Sequence, residues 1–172
     1  MSRAIAMLAL LSWVVTPPVA HAATPATSPA ATSAPAPSFS GHWALDLPAS
    51  DLGKGRKPPR ARADNVVLAG VWADVHSMTV RAGGDTLRLD YRYRTDGDAV
   101  NKLMGQEMHT HGSGEGTALR FESVAQVLMM RLAVIELWSL SGDGGTFTIE
   151  RNSDSPLGKE HQRLVFRRRV EP

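Results

Sequence analysis

The sequence contains no cysteine. Disulfides, thiolate metal sites, cysteine nucleophiles and a lipidated N-terminal cysteine are therefore excluded. It also lacks a surplus of either charge, with 19 Lys and Arg against 17 Asp and Glu. A general nucleic-acid binder needs a large basic excess, so no nucleic-acid partner is expected. Familiar catalytic signatures are missing too: there is no G-x-S-x-G, no H-E-x-x-H and no phosphate-cradling G-x-x-x-x-G-K-[ST]. The glycine clusters separate strand-like segments instead of preceding a helix, which makes them turns. Acidic pairs such as Asp96 and Asp98 fall in those turns and suit backbone shaping better than proton exchange. The expectation is a protein without catalysis and without a cofactor.

Long apolar runs are equally scarce. The main one, Ala4 to Val15, is about a dozen residues long and too short to span a bilayer comfortably. Arg3 precedes it, Pro17 and Pro18 follow, and Ala20-His21-Ala22 is an A-x-A cleavage site. Residues 1–22 thus read as a Sec-type secretory signal peptide. A single Arg does not make a twin-Arg signal. The predicted location is periplasmic or extracellular, with no transmembrane segment left after signal removal. Residues 23–38 hold only Ala, Thr, Pro and Ser, a composition that predicts a disordered, semi-rigid linker. The remaining residues, 39–172, form one domain of ordinary composition, the whole chain being 42% apolar and 21% charged.

That domain reads as strands. Leu87, Leu89, Tyr91 and Tyr93 alternate with Arg88, Asp90, Arg92 and Arg94, a period of two that a helix cannot place on one stripe. Gly83-Gly84 predicts a hairpin between His76–Arg81 and Thr86–Arg94, and Asp96-Gly97 ends the latter. Gly112, Gly114 and Gly116 divide Gln106–His111 from Thr117–Ser123. Gly142 to Gly145 join Val134–Leu140 to Thr146–Asn152. Residues from Ser153 to Gly158 lead into a last strand, about Glu160 to Arg169. Residues 48 to 74, with Gly53, Gly55 and the pair Pro58-Pro59, read as a long loop. Residues 124 to 133 could be a short helix, but flanking strands favour a buried strand starting near Val127. The fold class expected is all-β: an antiparallel up-and-down meander closing into an eight- or nine-stranded barrel, with a sandwich as the alternative.

Two stretches carry a family resemblance. The first is FSGHWALDLPASDLG, with Phe39, Gly41, Trp43, Leu45, Asp46 and Ser50. The second is IELWSLSGDGGTFTIER, with Glu136, Trp138, Ser141, Asp143 and Gly144 in order. Both resemble lipocalin-like (calycin-type) bacterial secreted proteins, over about residues 39 to 169. The resemblance implies a barrel in which Gly41 lets the backbone pass close to a neighbour and Trp43 plugs the closed end. It also implies that an Arg of the last strand, Arg167, Arg168 or Arg169, covers that indole.

Three functional readings follow. The first is a non-enzymatic secreted binding module holding a small apolar or amphipathic ligand, lined by Leu87, Leu89, Tyr91 and Tyr93. Met78, Met104, Met108, Met129 and Met130 suggest an adaptable apolar cavity. The second is a structural or interaction protein with a filled core, working through the basic loop of Lys54, Arg56, Lys57, Arg60 and Arg62. The third is a metal site on Glu107, His109 and His111, which share one strand face and would need His76 or His161 nearby.

Overall fold

The computed structural model describes residues 38–169, apart from 104 and 128. The expected signal peptide and nearly all of the linker lie outside the described residues. Ten strands follow one another: β1 Gly41–Leu45, β2 Ala61–Ala69, β3 Trp72–Val80, β4 Thr86–Arg94, β5 Asp98–Leu103, β6 Gln106–Glu115, β7 Ala118–Val127, β8 Met130–Leu140, β9 Thr146–Ser155 and β10 Gly158–Arg168. They form one sheet in the order β4-β3-β2-β1-β10-β9-β8-β7-β6-β5, antiparallel at every hydrogen-bonded step. The chain is a meander whose first strand closes on its last, a nearly closed barrel.

The two unpaired edges are β4 and β5, consecutive strands that a normal hairpin would have zipped together. A side chain does that work. The buried Asn101 amide accepts from Arg92 N–H at 2.7 Å and donates to Arg92 C=O at 3.0 Å, satisfying both backbone groups across the seam. Lower down, Gly112 N–H reaches Gly97 C=O at 2.8 Å. A Cβ on Gly112 would collide with the Arg94 carbonyl, so only glycine fits there.

This placement corrects the expected hairpin break. Gly112 and Gly114 lie within β6, and the turn comes at Gly116-Thr117. Glycine there serves close approach of chains, a role that looks like a turn in sequence. The strand count is likewise ten instead of eight or nine. The expected loop over residues 48 to 74 is a loop only to residue 60. Its second half is β2 and the start of β3. Strand β2 was hidden because its inward positions Arg62 and Asp64 are polar, breaking the apolar alternation. Residues 124 to 133 are two strands meeting at a tight hairpin, where Met129 adopts a positive φ of 65°. Val127 ends β7 and does not begin a strand. Ser153 to Ser155 belong to β9, leaving Pro156-Leu157 as the turn.

Up-and-down topology sends alternate turns to opposite ends. One end carries the chain entry and the turns after β2, β4, β6 and β8. It is filled by Phe39, Trp43, Tyr93, Phe121, Trp138, Phe147 and Phe166, packed at 4.7–6.2 Å between ring centroids. Gly41, Trp43 and Arg168 meet at its base. The Arg168 guanidinium stacks 4.3 Å over the Trp43 ring and donates to the carbonyls of Gly144, Ser40 and Ser38 at 2.7–2.9 Å. Gly41, at φ 144°, leaves the space that the guanidinium occupies. Trp43 Nε1–H donates to Phe39 C=O at 2.9 Å. Arg167 turns the other way, to Asp46 at 3.0 Å and Thr146 at 2.8 Å.

Two substitutions test these closures. Arg168→Lys keeps the charge but loses the planar fork, and denaturant unfolding should register a loss of about 1–3 kcal/mol. Asn101→Leu should cost a similar ~1–3 kcal/mol by stranding the Arg92 N–H and C=O, and the Arg92 amide should exchange faster with solvent. Wild-type stability in either variant contradicts the corresponding closure.

Candidate functional site

The opposite end stays open and polar. Polarity along the strands changes in step: β2 runs from Arg62 and Asp64 to Val66, and β9 from Phe147 and Ile149 to Arg151 and Ser153, all alternate positions on one face. The aromatic residues thus fill the closed half, and a cavity of about 490 Å³ lies above them. Leu45, Leu52, Pro59 and Leu164 supply apolar walls, while Arg62, Arg151, Gln162 and Thr79 supply polar ones. The segment after β1 runs beside β10 through an Asp51–Arg163 backbone bridge, then crosses as a strap that brings Arg56, Lys57 and Pro59 to the cavity. Gly53 and Gly55 hold positive φ in that strap. Arg56 ties it to Glu160 at 2.6 and 2.5 Å.

Two internal ion pairs organise the cavity floor. Arg62 grips the buried Asp64 through Nε and Nη2 at 3.0 and 2.8 Å, and Ser77 donates to the same carboxylate at 2.7 Å. Arg151 grips the buried Glu136 through Nε and Nη2 at 2.6 and 2.5 Å, with Trp138 Nε1–H donating to that carboxylate at 3.1 Å. Both carboxylates are less than 10% exposed, and a buried charge is tolerable only when paired in this way. Each guanidinium uses one edge on its carboxylate. Among the described residues no bond engages either Nη1, so a second edge remains for an incoming acceptor.

Burial, the largest influence on Arg151, favours its neutral form, but the charge and hydrogen bond of Glu136 oppose it and the pKa is raised, so the cation persists. Tyr91 is raised above 10.0 by burial. Tyr93 is raised well above it, by burial and then by Glu136. Both phenols stay protonated across the neutral range.

The four predicted ligand-lining residues do share the inner face of β4. They do not line this cavity. Tyr93 belongs to the aromatic fill, 4.7 Å from Phe121, and Tyr91 stacks on it at 6.0 Å. Leu87 sits in register with Thr79, which does reach the cavity. No methionine lines it among the described residues; Met108 is core, whereas Met78 and Met129 face solvent. The basic run 54–62 is not one surface either, because Arg62 points inward and Arg56 is bonded to Glu160. Arg62 and Arg151 escaped sequence reasoning because inward cations look like solvated ones. The usable signal was spacing: Arg62, Asp64, Val66 and Leu68 fall in one phase.

Glu107, His109 and His111 share the outer face of β6, as alternation requires. His109 faces Glu107 at 3.5 Å and His111 bonds Asp98 at 2.7 Å, all well exposed. His76 and His161 pair elsewhere, with Asp90 at 2.7 Å and Asn152 at 2.9 Å. Among the described residues no group of three or more His, Asp or Glu is placed to hold a metal ion.

No protein-family model and no curated protein sequence matches this chain. Solved structures do match. One is a mutant of the fluorescent protein UnaG, with a TM-score of 0.52 at 10% identity, covering 77% of this chain and 97% of that one. Another is a secretory abundant heat soluble protein from Ramazzottius varieornatus, also 0.52 at 10% identity, covering 76% and 95%. At such identity the likeness is one of fold. The domain shares their fold, an antiparallel meander closed into a β-barrel like that of the lipocalin-like proteins.

The strap offers a pH test. Arg56's hydrogen bond, the largest cause, holds the Glu160 pKa below its ordinary 4.5. A depressed carboxylate stabilises the folded arrangement above its free pKa, and that contribution disappears as pH falls through the folded value. Hydrogen exchange of the Gly53 and Gly55 amides should therefore accelerate as pH drops below the ordinary carboxylate range, relative to the β9 amides. Equal protection at acidic and neutral pH contradicts the tether.

Proposed function

We propose that the open-end cavity binds a small amphipathic anion, without covalent change, and that the protein does so outside the cytoplasm. The observation that carries this reading is the pair Arg62 and Arg151. Each is fixed by a buried carboxylate and each keeps a guanidinium edge over an apolar wall. Such an edge recognises a carboxylate, sulfonate or phosphate oxygen, and the leucines accept the hydrocarbon part. A volume of about 490 Å³ falls within the range of small-molecule pockets. Preorganisation by Asp64 and Glu136 spares the ligand the cost of ordering two long side chains. The Sec-type signal read in residues 1–22 supports export.

The alternative of a solid barrel acting through its basic loop has less support. Only the closed half is packed solid, and two of the five loop cations are engaged by carboxylates of the barrel strands.

Purified, delipidated protein should bind a medium-chain carboxylate more tightly than the matching alcohol in calorimetric titration. Arg151→Met alone would strand Glu136, so the test pairs Arg151→Met with Glu136→Gln. That double variant should lose about ten- to a hundredfold in carboxylate affinity, the effect of one charged hydrogen bond, with alcohol binding unchanged. Equal affinities for acid and alcohol in the wild type, or binding of neither, overturns the proposal.

A further inference from the structure

Two hairpin turns at the open end, unlike the Gly83-Gly84 turn beside them, differ in chemistry from those at the closed end. At the closed end the tips are Gly70-Val71, Thr95-Asp96-Gly97, Gly116-Thr117 and Ser141 to Gly145. These are small or polar, with Asp96, Glu115 and Asp143 at or beside them, and the apolar exception, Val71, is only 37% exposed. At the open end, Met129 tips the β7–β8 hairpin with 93% of its surface exposed, and Leu157 tips the β9–β10 hairpin at 84%. Nothing in folding requires a large apolar side chain at a solvated tip, where Asn, Asp or Gly would be cheaper. Met129 even occupies a left-handed conformation that favours Gly or Asn.

The two hairpins are neighbours in the sheet, because β8 pairs with β9. Leu157 and Leu132 line one hollow with the strap, and the β8–β9 pairing brings the Met129 tip to the same end. Exposed cations flank that rim: Arg131 two residues from Met129, Lys159 two residues from Leu157 and loosely paired with the exposed Asp154 at 3.6 Å, and Lys54 and Lys57 on the strap.

We infer that the open end docks on an anionic lipid surface, with Met129 and Leu157 entering the headgroup region and Lys54, Lys57, Arg131 and Lys159 meeting lipid phosphates. Apolar tips set in a basic rim are what an anionic interface selects: apolar area gains by leaving water, and each nearby cation adds electrostatic attraction. A protein partner would more often present a flat apolar patch. Isolated protruding tips with little mutual packing suit a soft surface. This docking does not depend on whether the cavity holds a ligand.

Flotation of the purified chain with vesicles tests it. Binding is expected to phosphatidylcholine–phosphatidylglycerol vesicles, to weaken with added salt, and to be much poorer on pure phosphatidylcholine. Met129→Asn with Leu157→Ser should weaken binding about tenfold or more, given the apolar area withdrawn. Lys54→Ser with Lys57→Ser should weaken it roughly fivefold per cation on the anionic vesicles alone. Val71→Ser, at the other end, should float like the wild type. The altered side chains are exposed, so thermal unfolding should match in all four proteins. Failure of the wild type to float with anionic vesicles overturns the inference, as does wild-type flotation of the tip variant. A dimer in sedimentation that the tip variant converts to monomer would instead assign the rim to a second copy and reject the lipid surface.

Discussion

The guanidinium of Arg168 against the indole of Trp43 is the contact on which the barrel's architecture turns. It sits where the first and last strands pair, and its three donated hydrogen bonds gather the chain entry and the β8–β9 turn onto the same point. An antiparallel sheet of ten strands has to deal with its edges. Here the first and last strands are joined in the middle of the sheet, and the free edges fall on β4 and β5. Those edges cannot share a full ladder, so one amide side chain spans them. The indole stack and the Asn101 bridge are thus complementary: one pins the place where the meander meets itself, the other the place where it would otherwise gape.

Closing one end with aromatic residues has a consequence for the other. Aromatic residues make up only 6% of the chain, too few to pack both halves. Among the described residues, seven large rings fill the closed half. The open half is built from short polar residues and paired charges, which leave space between the walls. An Arg–carboxylate pair in such a place contributes little net stability, because desolvation of both ions offsets most of their attraction. A hydrophobic pair would hold the walls at least as well. What the ion pairs do provide is a fixed guanidinium edge at a defined depth, and a ligand can use that where a hydrocarbon wall could not supply it.

The parts of this arrangement that could be read from sequence are those where side-chain chemistry and exposure agree. Strand β4, with apolar and charged residues in strict alternation, was legible at once. So were the glycine turns at 83–84 and 142–145, and the Gly41–Trp43 opener. Legibility failed where an inward position is polar or an in-strand position is glycine. Arg62 and Asp64 concealed β2 because each neutralises the other, which is a fact of register that composition does not carry. Gly112 was mistaken for a turn because close approach and tight turning both demand a missing Cβ. The hollow was least legible: Tyr91 and Tyr93 face inward, yet inward describes both the packed half and the hollow half.

That last confusion has a remedy in the topology itself. In an up-and-down barrel, position along a strand is position along the barrel axis, and odd and even turns lie at opposite ends. Sorting residues by depth as well as by face separates Tyr93, near the end of β4, from Arg62, at the start of β2 and therefore at the other pole. The same sorting separates the small, polar turns of the closed end from those tipped by Met129 and Leu157. Neither group is unusual one residue at a time. Only when alternate turns are superposed does the chain resolve into a sealed pole and a wet, cationic pole with apolar points. The polarity inside the barrel and the polarity of its rims change together because both are set by the same coordinate, depth along ten antiparallel strands.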